Sequence, residues 1–546
     1  MGISEGLIGH WELGSDTNDH SGTGQSTRAT DVELGHEGPG GQVGTAAKFN
    51  GKTSVLEVAE HHSLDFAYSD LALTAWVRLD DDNPDVVGDI ISNFDPDSRK
   101  GFQLGIVTNT GVTSTAQPNH RHLQFGIDDA QLDPAWTDCG RPGNCIKVGA
   151  LTVSKGMLYA GSLETQPEEM GHLWRYDGGQ KWTDLGNPVG CNIFNSIAEY
   201  EGGLYCGIGR YNCSGSGLGA TNNMTPGGQV YRFESGEWIY CGHPGGEDAV
   251  PDEEQVSGYH TGKADDAISL TVFRGELYCT SNHRLGVFKF EGGENWKHIG
   301  LDRRILSFTI YKGDLYALIN GGPVYRYEGG EDWTYCGDPE TSTQTYGAVT
   351  HQGKLYVGTW PEGEVYRYDG GEIWVKVDRV ACEREIMAMV SYNGKAYVGG
   401  LPMANVYRMD REGFSYVGNL DSSPVVMRRV WSMAVYDGKL YGGTLPSGHM
   451  LSIEAGKVVT GDRVFPAGWH HLAAVKEGGR LKVYLDGDLY GNSSPFAPNQ
   501  YDLTTSAPLR IGFGSYEYFR GRMSNVRLYN RALGAREIYE LSDTAI

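Results

Sequence analysis

No run of about 18 apolar residues occurs in the 546-residue chain, which excludes a bilayer-spanning helix. Basic residues are in deficit: 45 Lys and Arg face 69 Asp and Glu, a formal net charge of −24. Nucleic acid and anionic membrane attract basic faces, so both are disfavoured as partners. The opening stretch MGISEGLIGHWELG lacks the basic segment and long apolar core of a secretory signal. Two expectations remain: a cytoplasmic protein, or a secreted or periplasmic one whose signal has been removed. The cysteine count is odd, at nine, which argues against a fully paired disulfide framework. Neither an HExxH zinc motif nor a phosphate-cradling Gly-Lys-Ser/Thr loop is present. GSGLGA, from Gly215 to Ala220, follows a strand but precedes no helical pattern, so no dinucleotide site is expected there.

What the chain does have is glycine, 79 residues, and tyrosine, 32. The glycines fall at fixed intervals between alternating apolar positions, a mark of turn-rich β structure rather than disorder. Near-copies of one hairpin recur: HLWRYDGGQKW ends at Trp182, VYRFESGEW at Trp238, VFKFEGGENW at Trp296, VYRYEGGEDW at Trp333 and EVYRYDGGEIW at Trp374. A second marker, a tyrosine closely following a turn glycine, falls at Tyr159, Tyr205, Tyr278, Tyr316, Tyr356, Tyr397 and Tyr441. Each unit reads as four antiparallel strands in about 40 residues, and seven in succession predict a seven-bladed β-propeller. The seventh unit lacks its Trp-Cys-Gly strand, which stands instead ahead of the first unit in AWTDCGRPG, Ala135 to Gly143. The two ends are predicted to complete one blade, removing open sheet edges. Cys139, Cys241 and Cys336 share one repeat position and Cys206 and Cys279 another, as small buried hydrophobes. Cys145, Cys191, Cys213 and Cys382 lie in irregular connections, where a disulfide or a metal is the alternative.

Both ends of the chain carry short alternating strands without the repeat. The marks are HWEL followed by DHSGTG, then FNG, AWV, GWHHLAAV, VYLDG and the closing VRLYNRAL. In this order they resemble the laminin G-like, concanavalin A-like jelly roll, over about 220 residues split between the two ends. The fold class expected is all-β, a seven-bladed propeller inserted into a jelly roll: residues 1–133 and 456–546 form the sandwich and 134–455 the propeller. Insertion succeeds where the guest's termini lie close together. Excision of the propeller is therefore expected to leave a folded sandwich. The resemblance implies a calcium site with Asp19 and Asn525 as ligands; Asn brings an oxygen but no charge, and a plain turn at DHSG is the alternative.

Within each propeller unit the two Gly turns are short and constant, so the face they share reads as structural. The other connections vary in length, and function concentrates in such loops. In this acidic protein they collect Arg210, Arg284, Arg303, Arg304, Arg384, Arg428 and Arg429. Arginine forks suit planar carboxylates, so an anionic polysaccharide or oligosaccharide is the expected partner; alternatively, the arginines pair with acids such as Asp302, Glu383 and Glu385 between blades. Trp360 offers a stacking surface for sugar. His260, His283, Tyr211 and Tyr346 are candidate bases for β-elimination from a uronate, with Arg neutralising the carboxylate. A sialidase-like hydrolase is not expected, since its Asp-box repeat is missing. Three functions stay open: a polysaccharide lyase, a non-catalytic carbohydrate-binding or adhesion protein, and a kelch-like interaction scaffold with Trp360, Pro361 and the Leu-Pro loops as its rim.

Overall fold

The computed structural model describes residues 2–543 except 60, 80–83, 132–133, 220, 257–261, 341 and 412. Nearly all regular structure is antiparallel strand, closed by one helix, Ala535–Asp543. Strands from the two chain ends interleave in two sheets. In one, Leu71–Leu79 lies between Arg520–Tyr529 and Gly468–Glu477; in the other, Leu509–Ile511 lies between Val55–Val58 and Gly88–Ser92. Their inner faces bury Trp11, Phe49, Phe102, Phe125 and Leu472, the alternate positions that the strand period sends inward.

The middle of the chain forms propeller-like blades. Seven separate blades are expected from the repeat; five stand as separate four-stranded sheets, and the strands from Lys147 to Tyr240 form one eight-stranded sheet. Two four-strand units are fused there by the pairing of Leu163 with Ile193, supported by Glu164 N–H to Asn192 O at 3.0 Å and Gly171 N–H to Cys191 O at 3.0 Å. Glycine permits the approach: a Cβ on Gly161 would sit 2.4 Å from the Phe194 carbonyl oxygen. The displaced strand is placed as predicted, Thr137–Asp138 pairing with Met450–Ile453 beside the strand that carries Tyr441.

The repeat signature now has a cause. Five fourth-strand tryptophans donate the indole N–H to a carbonyl in the preceding unit: Trp182 to Cys139 at 3.0 Å, Trp238 to Leu185 at 3.3 Å, Trp296 to Cys241 at 2.7 Å, Trp333 to Ile299 at 3.1 Å and Trp374 to Cys336 at 2.8 Å; the Trp136 Nε1 has no hydrogen-bond partner among the described residues. The acceptor is always three residues after the tryptophan position of its own unit, so Trp-x-x-x-Gly is a unit-to-unit clasp. All nine cysteines are free thiols, eight buried and Cys382 exposed, so Cys145, Cys191, Cys213 and Cys382 form no disulfide.

The constant turns face the sandwich. Lys155-Gly156, Glu201-Gly202, Arg274-Gly275, Lys312-Gly313, Gln352-Gly353, Asn393-Gly394 and Asp437-Gly438 all hold two positive φ angles, the hairpin turn whose twist matches its strands. Several are bonded to the sandwich: Gln352 and Gly353 donate to Ser515 and Tyr516, Asp437 to Asp462, and Asn393 to Ile127. Lys395 pairs with Asp128, both fully buried.

From the sandwich a long hairpin, Lys100–Asn109 and Asn119–Asp129, sends its tip TGVTSTAQP into the propeller's channel, where residues 109 to 119 are all buried. It is bonded to the inner strand of every unit: Ser114 Oγ to Gly149 O (3.3 Å), Ser196 Oγ to Thr115 O (3.2 Å), Gln117 to and from Val272 (3.1 and 3.0 Å), Thr110 with Thr309 (3.0 Å), Ala348 N to Gly111 O (2.9 Å), Thr113 Oγ1 to Met387 O (2.6 Å) and Asn119 to and from Val435 (2.8 and 3.0 Å). Inner strands expose unpaired backbone groups toward the channel, and the plug satisfies them.

Candidate functional site

On the face opposite the sandwich the channel opens into a cavity of about 340 Å³. Its floor is the plug, through Thr113 and Ser114. Its wall follows from strand register. Counting back from each constant turn, one position per unit enters the channel first: Lys147, Ile193, Asp266, Arg304, Gln344, Glu385 and Arg429. Two residues further in stand Gly149, Asn195, Ile268, Leu306, Tyr346, Met387 and Trp431 on the same strand faces. Arg304, Gln344, Glu385 and Arg429 from the first set, and all but Gly149 from the second, line the cavity, joined by Tyr211, Ser216, Asn282 and Trp360 from the loops.

The packing of Lys147–Ser154 against Arg429–Tyr436 sets the charge distribution. Lys147 and Arg429 stand on adjacent inner strands and repel one another. The Lys147 ammonium is fully buried, 3.4 Å from the centre of the Trp431 ring and 4.5 Å from that of Tyr211, with Asn195 Oδ1 at 3.4 Å. Burial drives its pKa well below 10.5, against the pull of Asp266. Asp266 receives amide hydrogens from Asn195 and Asn282, yet burial raises it to about 6. Burial also pushes Glu385 up to about 7, opposed by the charge of Arg429 and a hydrogen bond from Tyr346. Arg429 is 7% exposed and donates from Nη1 alone, to Ser216 O and Met427 O, each at 3.0 Å. Among the described residues its Nε and Nη2 make no hydrogen bond, so one edge of the fork remains available.

The expected site residues divide. Arg304, Arg429, Tyr211, Tyr346 and Trp360 are brought together around the cavity. Arg384 reaches its rim, its guanidinium 4.8 Å from the Trp360 ring centre. Arg210 is paired with Asp265 and Arg284 with Glu254, as in the alternative of inter-loop ion pairs. Arg303 is exposed and bonds only weakly to the Asp302 carbonyl, at 3.4 Å. His283 is buried, its Nδ1 without a hydrogen-bond partner among the described residues, and burial reinforced by Arg210 and Arg304 lowers it to about 4. His260 lies outside the described residues. Lys147, Asp266, Asn195, Asn282 and the plug are missing from the sequence reading; the turn-anchored register would have found the first three, since it aligns them with Arg304, Glu385, Arg429, Tyr346 and Trp431.

In the sandwich, Asp19 and Asn525 approach each other through His10. Asp19 accepts from His10 N and Ser21 N (2.9 Å each), Ser21 Oγ (2.9 Å), Thr23 Oγ1 (2.8 Å) and Gln25 N (3.4 Å). Asn525 Oδ1 faces His10 Nε2 and the Arg527 guanidinium, both at 3.2 Å. Donors saturate the carboxylate and a guanidinium stands where a second anion would be needed, so this set does not fit calcium. Among the described residues no group of three or more His, Cys, Asp or Glu could hold a metal ion, and no helix is long and apolar enough to cross a membrane.

Residues 445–539 match the family model of the concanavalin A-like lectin/glucanases superfamily, laminin G type. That is the C-terminal part of the sandwich with the strand Met450–Ile453 of the last blade. No curated protein matches the sequence. Among solved structures, a catalytically inactive virginiamycin B lyase from Staphylococcus aureus, with quinupristin, is 11% identical, covering 59% of this chain and 99% of its own, with a TM-score of 0.43. YCF48 from Cyanidioschyzon merolae is 14% identical over 59% of this chain and 99% of its own, TM-score 0.37. PorZ of Porphyromonas gingivalis is 14% identical over 72% and 68%, TM-score 0.38.

Proposed function

We propose that the cavity binds an anionic saccharide, with Arg429 as the anchor for its carboxylate, Arg304 as a second cation and Trp360 as the stacking wall. The observation that carries this is the half-used fork of Arg429, buried in a cavity whose neighbouring acid, Glu385, is held up near 7 and so does not fully cancel its charge. In this reading the five separate blades and the fused sheet close as a ring of seven units, with the sandwich comprising residues 1–133 and 456–546 and the ring residues 134–455. Titration calorimetry with short uronate oligosaccharides tests the proposal: binding that is lost for neutral oligosaccharides of the same linkage is expected, and equal affinity for both overturns it.

A second reading, elimination, is favoured by the position of Glu385 beside Arg429 and Tyr346. With the substrate carboxylate on Arg429, Glu385 would take the C5 proton as the C4–O bond breaks and the C4=C5 bond forms, while a tyrosine hydroxyl, Tyr346 or Tyr211, protonates the departing oxygen. His283 contributes less to this reading, since it is buried and does not line the cavity. Ultraviolet absorbance of the unsaturated product separates the two: binding without that signal leaves a carbohydrate-binding protein.

A further inference from the structure

Resting on the anionic-saccharide reading, we infer that the site recognises a chain end, or a free mono- or disaccharide acid, and not an internal stretch of polysaccharide, because the sandwich hairpin makes the cavity blind. An open propeller channel would let a polymer enter one face and leave by the other. Here Thr113 and Ser114 close the bottom, and the tip that carries them is bonded to all the inner strands. Ser114 is fixed from both sides, donating to the Gly149 carbonyl at 3.3 Å and accepting the Trp431 indole N–H at 2.9 Å. The floor is thus continuous with the wall, and the same hydroxyl that seals the channel orients the ring over Lys147.

The top is narrowed as well. The loop after the strand Gly203–Gly209 crosses the mouth, its Ser216 carbonyl reaching Arg429 on the closing unit and its Tyr211 hydroxyl bonding Ser216. At about 340 Å³ the space stands at the small end of ligand pockets, room for roughly one or two sugar rings. The anchoring groups stand in the outer of the two rings but are covered there, Arg429 at 7% and Glu385 at 5% exposure, with the crossing loop bonded to Arg429 through Ser216. An internal residue could reach them only if the chain doubled back through the same mouth, whereas a terminal residue enters directly.

The test is calorimetry on the whole protein with a size ladder of one uronate homopolymer, di-, tetra- and octasaccharide and polymer, each also with the reducing end reduced and with the non-reducing end capped by a bulky ether. The expected result is one protein bound per chain at every length and a drop of at least tenfold when one particular end is blocked. Stoichiometry rising with chain length, or affinity indifferent to blocking both ends, overturns the chain-end inference while leaving the anionic-saccharide reading in place. No binding by any member of the ladder overturns both. An Arg429→Ala protein that binds the ladder as tightly as wild type shows the ligand to lie elsewhere, and overturns them too.

Discussion

Replacement of Arg429 by Ala separates a ligand anchor from a structural cation, since the two roles move different observables. The guanidinium makes two charge-assisted bonds of 3.0 Å, to Ser216 O and Met427 O. Such bonds contribute about 1.5–3 kcal/mol each in a dry interior. These carbonyls border a cavity that water refills once the side chain is gone, so about 1–2 kcal/mol in total is the expected loss, a few degrees of Tm at most. Glu385 does not become a stranded charge, because losing Arg429 raises its pKa further and it protonates. A bound carboxylate has no such escape: it loses its fork, about 1.5–3 kcal/mol or roughly 10- to 150-fold in affinity. Arg429→Lys keeps the charge without the fork and should fall between. Calorimetry with a uronate disaccharide and thermal melting on the same variants decide the matter. Melting lowered with affinity per folded molecule unchanged refutes the anchor.

Glu385→Gln tests the carboxyl held near 7. Its folded pKa lies above the ordinary 4.5, so the folded state keeps a proton that the unfolded state releases; its contribution is full below about 4.5 and is lost as pH rises to about 7. Wild type should therefore lose up to about 3 kcal/mol relative to the Gln variant between pH 5 and 8, and parallel denaturant midpoints across that range would contradict it. Trp360→Ala, at the rim, should weaken saccharide binding by roughly 3- to 10-fold, in line with about 0.5–1.5 kcal/mol for a ring contact, while Tm holds; unchanged affinity removes the stacking wall. Lys395→Ala strands Asp128 in the interface and should cost about 3–5 kcal/mol, whereas Lys395→Met with Asp128→Leu should recover most of it, as denaturation of both proteins will show. Calcium and chelator should leave Tm equal, given the donors around Asp19; a calcium-dependent rise would show that the turn rearranges to bind it.

The propeller was readable from the chain because its marks recur: Trp-x-x-x-Gly at Trp136, Trp182, Trp238, Trp296 and Trp333, and the x-Gly turns, repeat whatever the unit's function. The fused pair of units was not, because a single backbone pairing at Leu163 and Ile193 leaves no periodic mark. Site residues were legible in part. Arg304 and Arg429 stood out as cations in an acidic chain, and both line the cavity; Arg210 and Arg284 stood out equally, and their partners Asp265 and Glu254 lie 55 and 30 residues away, a distance over which composition says nothing about contact. Lys147 was passed over because CIKVGALTVS looks like any entering strand. Only alignment on the turns gives it the phase of Arg429.

The plug explains what neither half of the chain could show alone. A propeller's inner strands leave backbone groups facing the channel, and the sandwich's hairpin leaves a nine-residue tip with no sheet of its own to join; each supplies the other's missing partners. Gly111 at that tip carries φ +80°, and a Cβ there would meet the Ala348 Cβ at 2.6 Å, so the fit is close enough to specify the tip's sequence. Excision of residues 134–455 would therefore leave the sandwich with an unpartnered tip. Its sheets would survive on their own core, since Phe102, Phe125 and Leu472 pack within the sandwich. The tip would then expose Val112, Thr113 and Ala116, together with Lys395's former partner Asp128, all buried in the intact protein. Coupling runs the other way too: Thr113 and Ser114 of the sandwich hairpin form the cavity floor, so a ligand that filled the cavity would touch both domains at once, and its affinity would report on their docking.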